Sequence, residues 1–327
     1  LFRSWKPEMN LSAETSGKNA LIVTPQADLD LAAADLIHSA FSHQGQKCSA
    51  ASLGILVGSV ANDERFLRQI VDAAKSLAVG SSHELSTVLG PLIAPATGKL
   101  LDALTKLDEG EYWLLEPQQV DQSGQLWTPG IKGGVKPGSQ FHHTECFGPV
   151  LGLMQASNLD EAIEWQNSVD YGLTGGIHSL DPMEIEEWLK KVQVGNAYVN
   201  RHITGAIVNR QPFGGWKRSA VGVGAKTGGP DYLLQLGKWQ PTGPIELSAA
   251  EQDDAYWWEN YYSVEHDPSN LFCEANILRY QPRSNLIIRI SSDANEIEVQ
   301  RVLSAVNRTG VSYEVSNEKE ISNNEFA

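Results

Sequence analysis

The sequence predicts an α/β fold built on a largely parallel sheet. From about residue 17 to residue 200, short apolar runs alternate with helix-length segments that carry one apolar stripe. The chain also has 327 residues with 41% hydrophobic content, enough for one large core or two modest ones.

The elements follow in order. ALIV (20–23) is a short apolar strand, and Asp28 to Phe41 is a helix with Leu29, Ala33, Leu36, Ile37 and Ala40 along one stripe. SLGILVGSV (52–60) is the next strand. Asn62 is placed to cap a helix whose stripe is Phe66, Leu67, Ile70, Val71 and Ala74. The strand GPVLGLM (148–154), the helix LDEAIEWQNS (159–168), the strand LTGGIHS (173–179), the helix PMEIEEWLKKV (182–192) and the strand NAYVN (196–200) complete the series.

Composition shifts near residue 205. RQPFGGWKRSAVGVGAKTGGPDYL (210–233) is rich in glycine and basic residues and reads as ordered loops. The expected division is therefore 1–240 as one region, with a core at about 17–200 and loops over 201–240. PTGP (241–244) is a linker, and 241–284 includes the acidic, aromatic stretch ELSAAEQDDAYWWENYY, a helix with aromatic anchors. NLIIRIS (285–291), a polar helix near Asn295 to Asn307 and VSYEVS (311–316) form a partial β-α-β unit over 285–327, too little to fold as a domain. The tail EKEISNNEFA is expected to be disordered. No internal repeat is visible.

The formal net charge is −15, a field that repels nucleic acid and anionic membranes and leaves a small substrate or a protein as partner. The three cysteines, Cys48, Cys146 and Cys273, form no CxxC pair, so neither a local thiolate zinc site nor a disulfide scaffold is expected. No signal peptide is visible, and the apolar stretch around Ala50 to Ala61 is too short and too broken to span a bilayer. A cytoplasmic protein is expected. The absence of an initial methionine suggests a chain that starts inside a longer reading frame.

Cys48 lies in HQGQKCSAAS (43–52), between a helix and a strand, with Gln46, Lys47 and Ser49 as neighbours. It is either a small buried hydrophobe or a nucleophile. A cationic neighbour and nearby backbone N–H groups favour a thiolate. Glu14, in AETSGKN, is either a surface or capping residue or a general base on a water or on the thiol. Two adjacent βα loops could bring it to the same mouth of the sheet as Cys48. HHTECFGPV (142–150) offers His142, His143, Glu145 and Cys146 as ligands. Adjacent histidines in an extended segment point to opposite faces, so no metal site is expected. Glu145 before FGP instead suggests a fixed turn that aims a carboxylate. GVGAKTGG (222–229) matches neither GxxxxGK[ST] nor GxGxxG and is no nucleotide loop. His43 is read as structural rather than as a base for Cys48.

Four segments together, GQKCSA around Cys48, AETSGKNA around Glu14, ECFGPVLGLM around Glu145 and PFGGWKRSAVG near residue 213, resemble the aldehyde dehydrogenase superfamily in kind, order and rough spacing. The resemblance covers about residues 1 to 240. NRHITGAIVNRQPFGG (200–215) narrows it to the L-glutamate γ-semialdehyde (1-pyrroline-5-carboxylate) dehydrogenases of proline catabolism, often fused to proline dehydrogenase in PutA-type proteins. The resemblance implies that Cys48 attacks the aldehyde carbon and passes through a thioester, with NAD as oxidant. Glu14 then activates the hydrolytic water. It implies that Glu145 binds the nicotinamide ribose with Phe147 packed nearby. Gly205 and Ala206 would hold the substrate carboxylate through backbone N–H groups, Ser49 would add a hydroxyl, and Phe213 would pack on the aliphatic chain. Arg201 and Arg210 are candidate counter-charges or surface residues.

Only thirteen residues precede Glu14, so the family's NAD-binding half is largely missing from this chain, as is the asparagine that completes its oxyanion hole. The chain is thus expected to be a catalytic part with poor NAD binding and little dehydrogenase activity by itself. Self-association into a homo-oligomer follows from surface left open by that half. A dehydrogenase for another semialdehyde, such as succinate semialdehyde, and a non-catalytic scaffold or oligomerisation module are the alternatives.

Overall fold

A computed structural model describes residues 2–222, 226–240, 243, 246–282 and 285–318. In chain order it carries α1 (Phe2–Trp5), β1 (Ala13–Glu14), β2 (Asn19–Val23), α2 (Leu29–Phe41), β3 (Ala51–Val57), α3 (Glu64–Lys75), α4 (Gly98–Thr105), β4 (Tyr112–Leu115) and β5 (Gly130–Gly133). Then come α5 (Gln140–His143), β6 (Val150–Ala156), α6 (Leu159–Asn167), β7 (Tyr171–Gly172), β8 (Thr174–His178), α7 (Pro182–Lys191), β9 (Asn196–Val199), β10 (Trp216–Lys217) and β11 (Ala220–Val221).

Seven strands form one sheet in the order β4-β5-β6-β3-β2-β8-β9. Every neighbouring pair is parallel except β4 with β5. The expected α/β architecture is present. Its cause is visible in β2, where all five residues are buried. Alternate side chains leave a strand on opposite faces. Ala20 and Ile22 pack with Leu53, Ile55, Ala162 and Trp188, which places α6 and α7 on one face. Leu21 and Val23 pack with Leu36, Phe41, Phe66 and Ile70, which places α2 and α3 on the other. Each fully buried Leu, Ile or Phe contributes about 1.5–3 kcal/mol, so a strand buried on both faces is held twice over.

The helix starts are set by capping carboxylates. Asp28 Oδ1 accepts the N–H groups of Asp30 and Leu31 at 3.1 Å, so α2 begins at Leu29. The cap of α3 is Asp63 rather than Asn62: Asp63 Oδ1 accepts the N–H of Phe66 at 3.0 Å. Asn62 instead ends a 3₁₀ turn (Gly58–Asn62) that closes β3 at Val57, so the strand is shorter than the apolar run. The loops over 210–222 are stitched by short antiparallel pairs, β10 with β7 and β11 with β1.

The backbone contacts divide the chain into two compact units, 1–207 with 212–235, and 208–211 with 236–327. The second carries α8 (Leu247–Trp257), β12 (Leu286–Ile290), α9 (Glu296–Thr309) and β13 (Tyr313–Asn317). β12 and β13 pair in parallel, with α9 between them in the chain. Arg301 joins α9 to Asp254 of α8 at 3.0 Å. Three of the four linker residues PTGP, and the tail beyond Glu318, lie outside the described residues. Among the described residues no helix is long and apolar enough to cross a membrane.

Candidate active site

Because the six strands β5, β6, β3, β2, β8 and β9 run parallel, the segments that enter them converge on one edge of the sheet. Glu14 precedes β2, Cys48 precedes β3, and Glu145 and Phe147 precede β6. The site therefore sits at the amino ends of the strands, not in the mouth formed by βα loops that leave them.

The approach to Cys48 is a strained turn. His43, Gln44 and Gly45 follow α2 with φ of 55°, 58° and 64°. A left-handed residue other than glycine costs about 1–2 kcal/mol, so something must hold this turn. Gln44 is 3% exposed and donates from Nε2 to the Gly90 carbonyl. Gln46 accepts the Ile93 N–H at 3.0 Å and donates to the Phe147 carbonyl at 3.2 Å. Gly45 is required here on two counts, its positive φ and the Gly148 oxygen 2.3 Å from where a Cβ would stand. His43 belongs to this turn.

Asn19, inside the quoted AETSGKNA but given no role from sequence, fixes Cys48 from the neighbouring strand. Its Nδ2 donates to the carbonyls of Cys48 at 2.8 Å and Ala50 at 2.9 Å, and its Oδ1 accepts the N–H of Thr174 at 3.1 Å. One buried amide thus ties the starts of β2, β3 and β8 together. A polar residue opening an otherwise apolar run was the available signal.

Burial pushes the Cys48 thiol above its ordinary pKa. The N–H groups of Cys48 and Ser49 pull it down, and the carboxylates of Glu145 and Glu14 push it up again. The net shift is upward, so the thiolate expected from a cationic neighbour is not the resting state. The same balance places both carboxylates within electrostatic reach of the sulfur.

Glu14 pairs with Ala220 across β1 and β11 and keeps an exposed surface. Its Oε2 accepts the Gly215 N–H at 2.8 Å. Partial burial raises its pKa, against the opposing pull of that N–H and of Lys226. Glu145 Oε1 accepts the Gly17 N–H at 3.0 Å, which leaves Oε2 for a hydroxyl donor. Phe147, with φ of 60°, makes the turn that aims it. A small hollow lined by Gly17, Lys47, Glu145, Phe147 and Gly148 lies beside this carboxylate. A carboxylate acceptor beside an aromatic ring at the rim of a hollow fits a ribose hydroxyl pair, so these residues suit a nicotinamide nucleotide.

Behind Glu145 lies a buried cationic cluster. Lys18 is 2% exposed, its Nζ has no hydrogen-bond partner among the described residues, and it stands 4.1 Å from the centre of the Phe141 ring. Lys132 pairs with Glu111 at 2.9 Å. His142 and His143 lie on one helical turn, α5, rather than in an extended segment, and their rings are 4.5 Å apart. His142 Nδ1 accepts the Gly138 N–H at 3.0 Å and Nε2 lies 3.1 Å from the Trp165 carbonyl. Burial pushes its pKa down to about 4, so it is a neutral structural histidine. Among the described residues no group of three or more His, Cys, Asp or Glu is arranged to hold a metal.

The loop after β9 starts at the far edge and runs back along α2. Asn200 bonds to Ser179 beyond β8, His202 packs on His38 with ring centres 4.6 Å apart, and the Ile203 N–H donates to Ser39 Oγ at 3.0 Å. This course carries Gly205 and Ala206 toward the Cys48 end of the helix. Gly205 is exposed with φ of 77°, and among the described residues the N–H groups of Gly205 and Ala206 have no hydrogen-bond acceptor. Phe213 is bridged to Thr227 by bonds of 2.9 and 2.8 Å. Ser49 is buried, its carbonyl taken by Thr174 Oγ1 at 3.2 Å. Arg201 lies over the Tyr198 ring at 5.5 Å, and Arg210 pairs with Glu274 at 3.3 Å.

Residues 6–240 match the aldehyde dehydrogenase family profile. The chain belongs to the aldehyde dehydrogenase family. It is 38% identical over 223 residues to a 1-pyrroline-5-carboxylate dehydrogenase from Geobacillus sp. (strain WCH70), covering 68% of this chain and 42% of that protein. The chain thus spans less than half the length of such curated relatives. Among solved structures it is similar to proline utilization A (PutA) from Corynebacterium freiburgense, with 52% identity and a TM-score of 0.90 over 96% of this chain and 34% of that one. It is also similar to 1-pyrroline-5-carboxylate dehydrogenase from Thermus with bound NAD, with 38% identity and a TM-score of 0.62 over 68% of this chain and 42% of that one.

For a member of the aldehyde dehydrogenase family, the thiols here carry an unusual expectation. Cys273 is exposed, Cys48 is half-buried and Cys146 is buried. A neutral alkylating agent such as iodoacetamide at pH 7 is expected to modify Cys273 first, then Cys48, and Cys146 last. Peptide mapping over time checks the order. Cys48 labelling should accelerate with pH well above neutrality, because its thiol is shifted upward.

Proposed function

We propose that this chain is the catalytic part of an NAD-dependent L-glutamate γ-semialdehyde dehydrogenase that forms glutamate in proline degradation. The observation that carries the reading is the convergence of Cys48, Glu14 and Glu145 at the amino ends of β3, β2 and β6. Two further features support it: the open N–H groups at Gly205 and Ala206, and the likeness to proteins called 1-pyrroline-5-carboxylate dehydrogenase and PutA.

The Cys48 thiol gives up its proton to solvent, a step slowed by the upward shift of its pKa. The Cys48 sulfur adds to the aldehyde carbon, and the oxygen, now anionic, is held by the Cys48 N–H. When bound, NAD supplies the acceptor for the hydrogen and electron pair that leave that carbon. Collapse of the oxyanion leaves a thioester on Cys48. Glu14 next removes a proton from water as its oxygen adds to the thioester. The Cys48 sulfur leaves and the carboxylic acid is released. Glu145 and Phe147 hold the cofactor's ribose. Gly205 and Ala206 hold the α-carboxylate, because small residues let backbone donors approach an anion closely. Ser49 adds a hydroxyl, and Phe213 covers the aliphatic part. A proline-oxidising domain in the same protein, as in PutA-type proteins, would supply the substrate, and self-association of the whole is part of the proposal.

The test is formation of NADH from L-glutamate γ-semialdehyde by the full-length protein, beside Cys48→Ala. Turnover that disappears in the variant supports the reaction and the nucleophile. An intact, folded protein that turns over succinate semialdehyde but not this substrate would overturn the substrate assignment.

A further inference from the structure

The segment GVGAKTGG is no phosphate loop, yet its lysine is built into the site. Lys226 Nζ donates to the Gly214 carbonyl at 3.0 Å, to Asn196 Oδ1 at 3.1 Å and to the Gly195 carbonyl. All three ammonium protons are thereby used. The same Asn196 oxygen accepts the Gly214 N–H at 3.2 Å. Gly214 C=O and Gly215 N–H belong to one peptide group, and that N–H donates to Glu14 Oε2 at 2.8 Å. The chain of contacts is therefore ammonium, carbonyl, peptide N–H, carboxylate. A cation on the oxygen of a peptide strengthens the donor at its nitrogen. The two side chains also flank one residue. A Cβ on Gly214 would stand 3.1 Å from Glu14 Oε1 and 3.2 Å from Lys226 Cγ. The Phe213–Thr227 bridge beside it keeps Lys226 in register.

The geometry points to Lys226 as a positioning residue for the base: it fixes and polarises the Gly214–Gly215 peptide that holds Glu14, and it keeps the Glu14 carboxylate ionised. The inference rests on Glu14 being the base of the proposed reaction. Two titratable groups face Glu14, Lys226 from the 226–229 turn and Cys48 from the start of β3. Among the described residues, Glu14 is the one charged group that acts on Lys226. Burial pushes its own pKa down to about 8, so it is a cation throughout the range where a carboxylate titrates.

The test uses this chain and needs no cofactor. Carbon-13 labelling of glutamate, with Glu14→Gln to assign the resonance, gives the Glu14 titration directly. Hydrolysis of p-nitrophenyl acetate gives its consequence. The acetyl group passes to the Cys48 sulfur as p-nitrophenolate leaves, and the thiol proton goes to solvent. Water then adds to the thioester, its proton passing to Glu14 and on to the departing sulfur, so that acetate is released and the Cys48 thiol is regenerated. Lys226→Met is expected to raise the Glu14 midpoint by about one unit or more, the usual effect of losing an adjacent opposite charge. The pH limb of deacylation should move with it, and Lys226→Arg should bring both back toward the wild-type values. A Lys226→Met protein with native circular dichroism and an unmoved Glu14 midpoint would overturn the inference. If the methionine variant does not fold, Lys226→Gln carries the same expectation and the same overturning result. If Glu14→Gln keeps the wild-type pH limb, the base assignment itself fails and the role of Lys226 falls with it.

Discussion

Glu14→Gln is expected to stall the enzyme with its thiol acylated. Glutamine keeps the shape of the side chain and can still accept the Gly215 N–H, which now holds Glu14 Oε2 at 2.8 Å. It cannot take a proton from water. General-base assistance is worth about 10²–10⁴-fold, so thioester hydrolysis should slow by that factor. The acyl adduct on Cys48 should then persist long enough to be seen as a mass increase of the intact protein. Slow turnover with no adduct would place the loss before the thioester and remove Glu14 from hydrolysis. The pH dependence has a definite sign. Partial burial raises the Glu14 pKa, so in the wild-type protein deacylation should climb with pH through a value above that of a free glutamate. Glu14→Gln should flatten that climb.

The parts of this fold that sequence reveals are those where each residue obeys one local rule. ALIV and the 52–57 run are apolar because both faces of their strands are covered, and their helices show the matching stripe. β4 and β5 break the rule. GIKG at 130–133 is fully buried, but its centre is Lys132, whose charge is matched by Glu111 from a different segment at 2.9 Å. No window of sequence discloses that match. The site divides in the same way. Cys48, Glu14 and Glu145 stand out by residue type and surroundings. Their location at the strand starts depends on chain direction through the sheet, which the expectation of βα loops had reversed. The state of the Cys48 thiol was also hidden. It is set by burial and by two carboxylates from distant segments, which outweigh the N–H groups of Cys48 and Ser49. Asn62 and Asp63 are both good caps in adjacent positions, and only the 3₁₀ turn before them decides for Asp63.

Lys18→Met is expected to make the protein more stable at neutral pH. Lys18 is buried with no hydrogen-bond partner among the described residues, and its compensation is the Phe141 ring at 4.1 Å and the nearby Cys146, Glu145 and Glu111. A desolvated cation–π contact is worth about 2 kcal/mol. Burial nevertheless wins, because the pKa falls from 10.5 to about 8. A lysine whose folded pKa is depressed weakens the fold while it is charged. Below pH 8 it is protonated in both states and the penalty is complete. Between pH 8 and 10.5 the unfolded chain holds the proton and the folded one does not, so stability rises with pH. At 1.36 kcal/mol per unit the whole penalty is about 3 kcal/mol. Methionine has similar length and no charge, and should recover most of that at pH 7 in urea unfolding. The variant should also lose the rise in stability between pH 8 and 10.5. A variant that is less stable than wild type at pH 7 would mean that the ring and the carboxylates outweigh desolvation. Lys18 would then be a structural cation that orders the floor beneath Glu145.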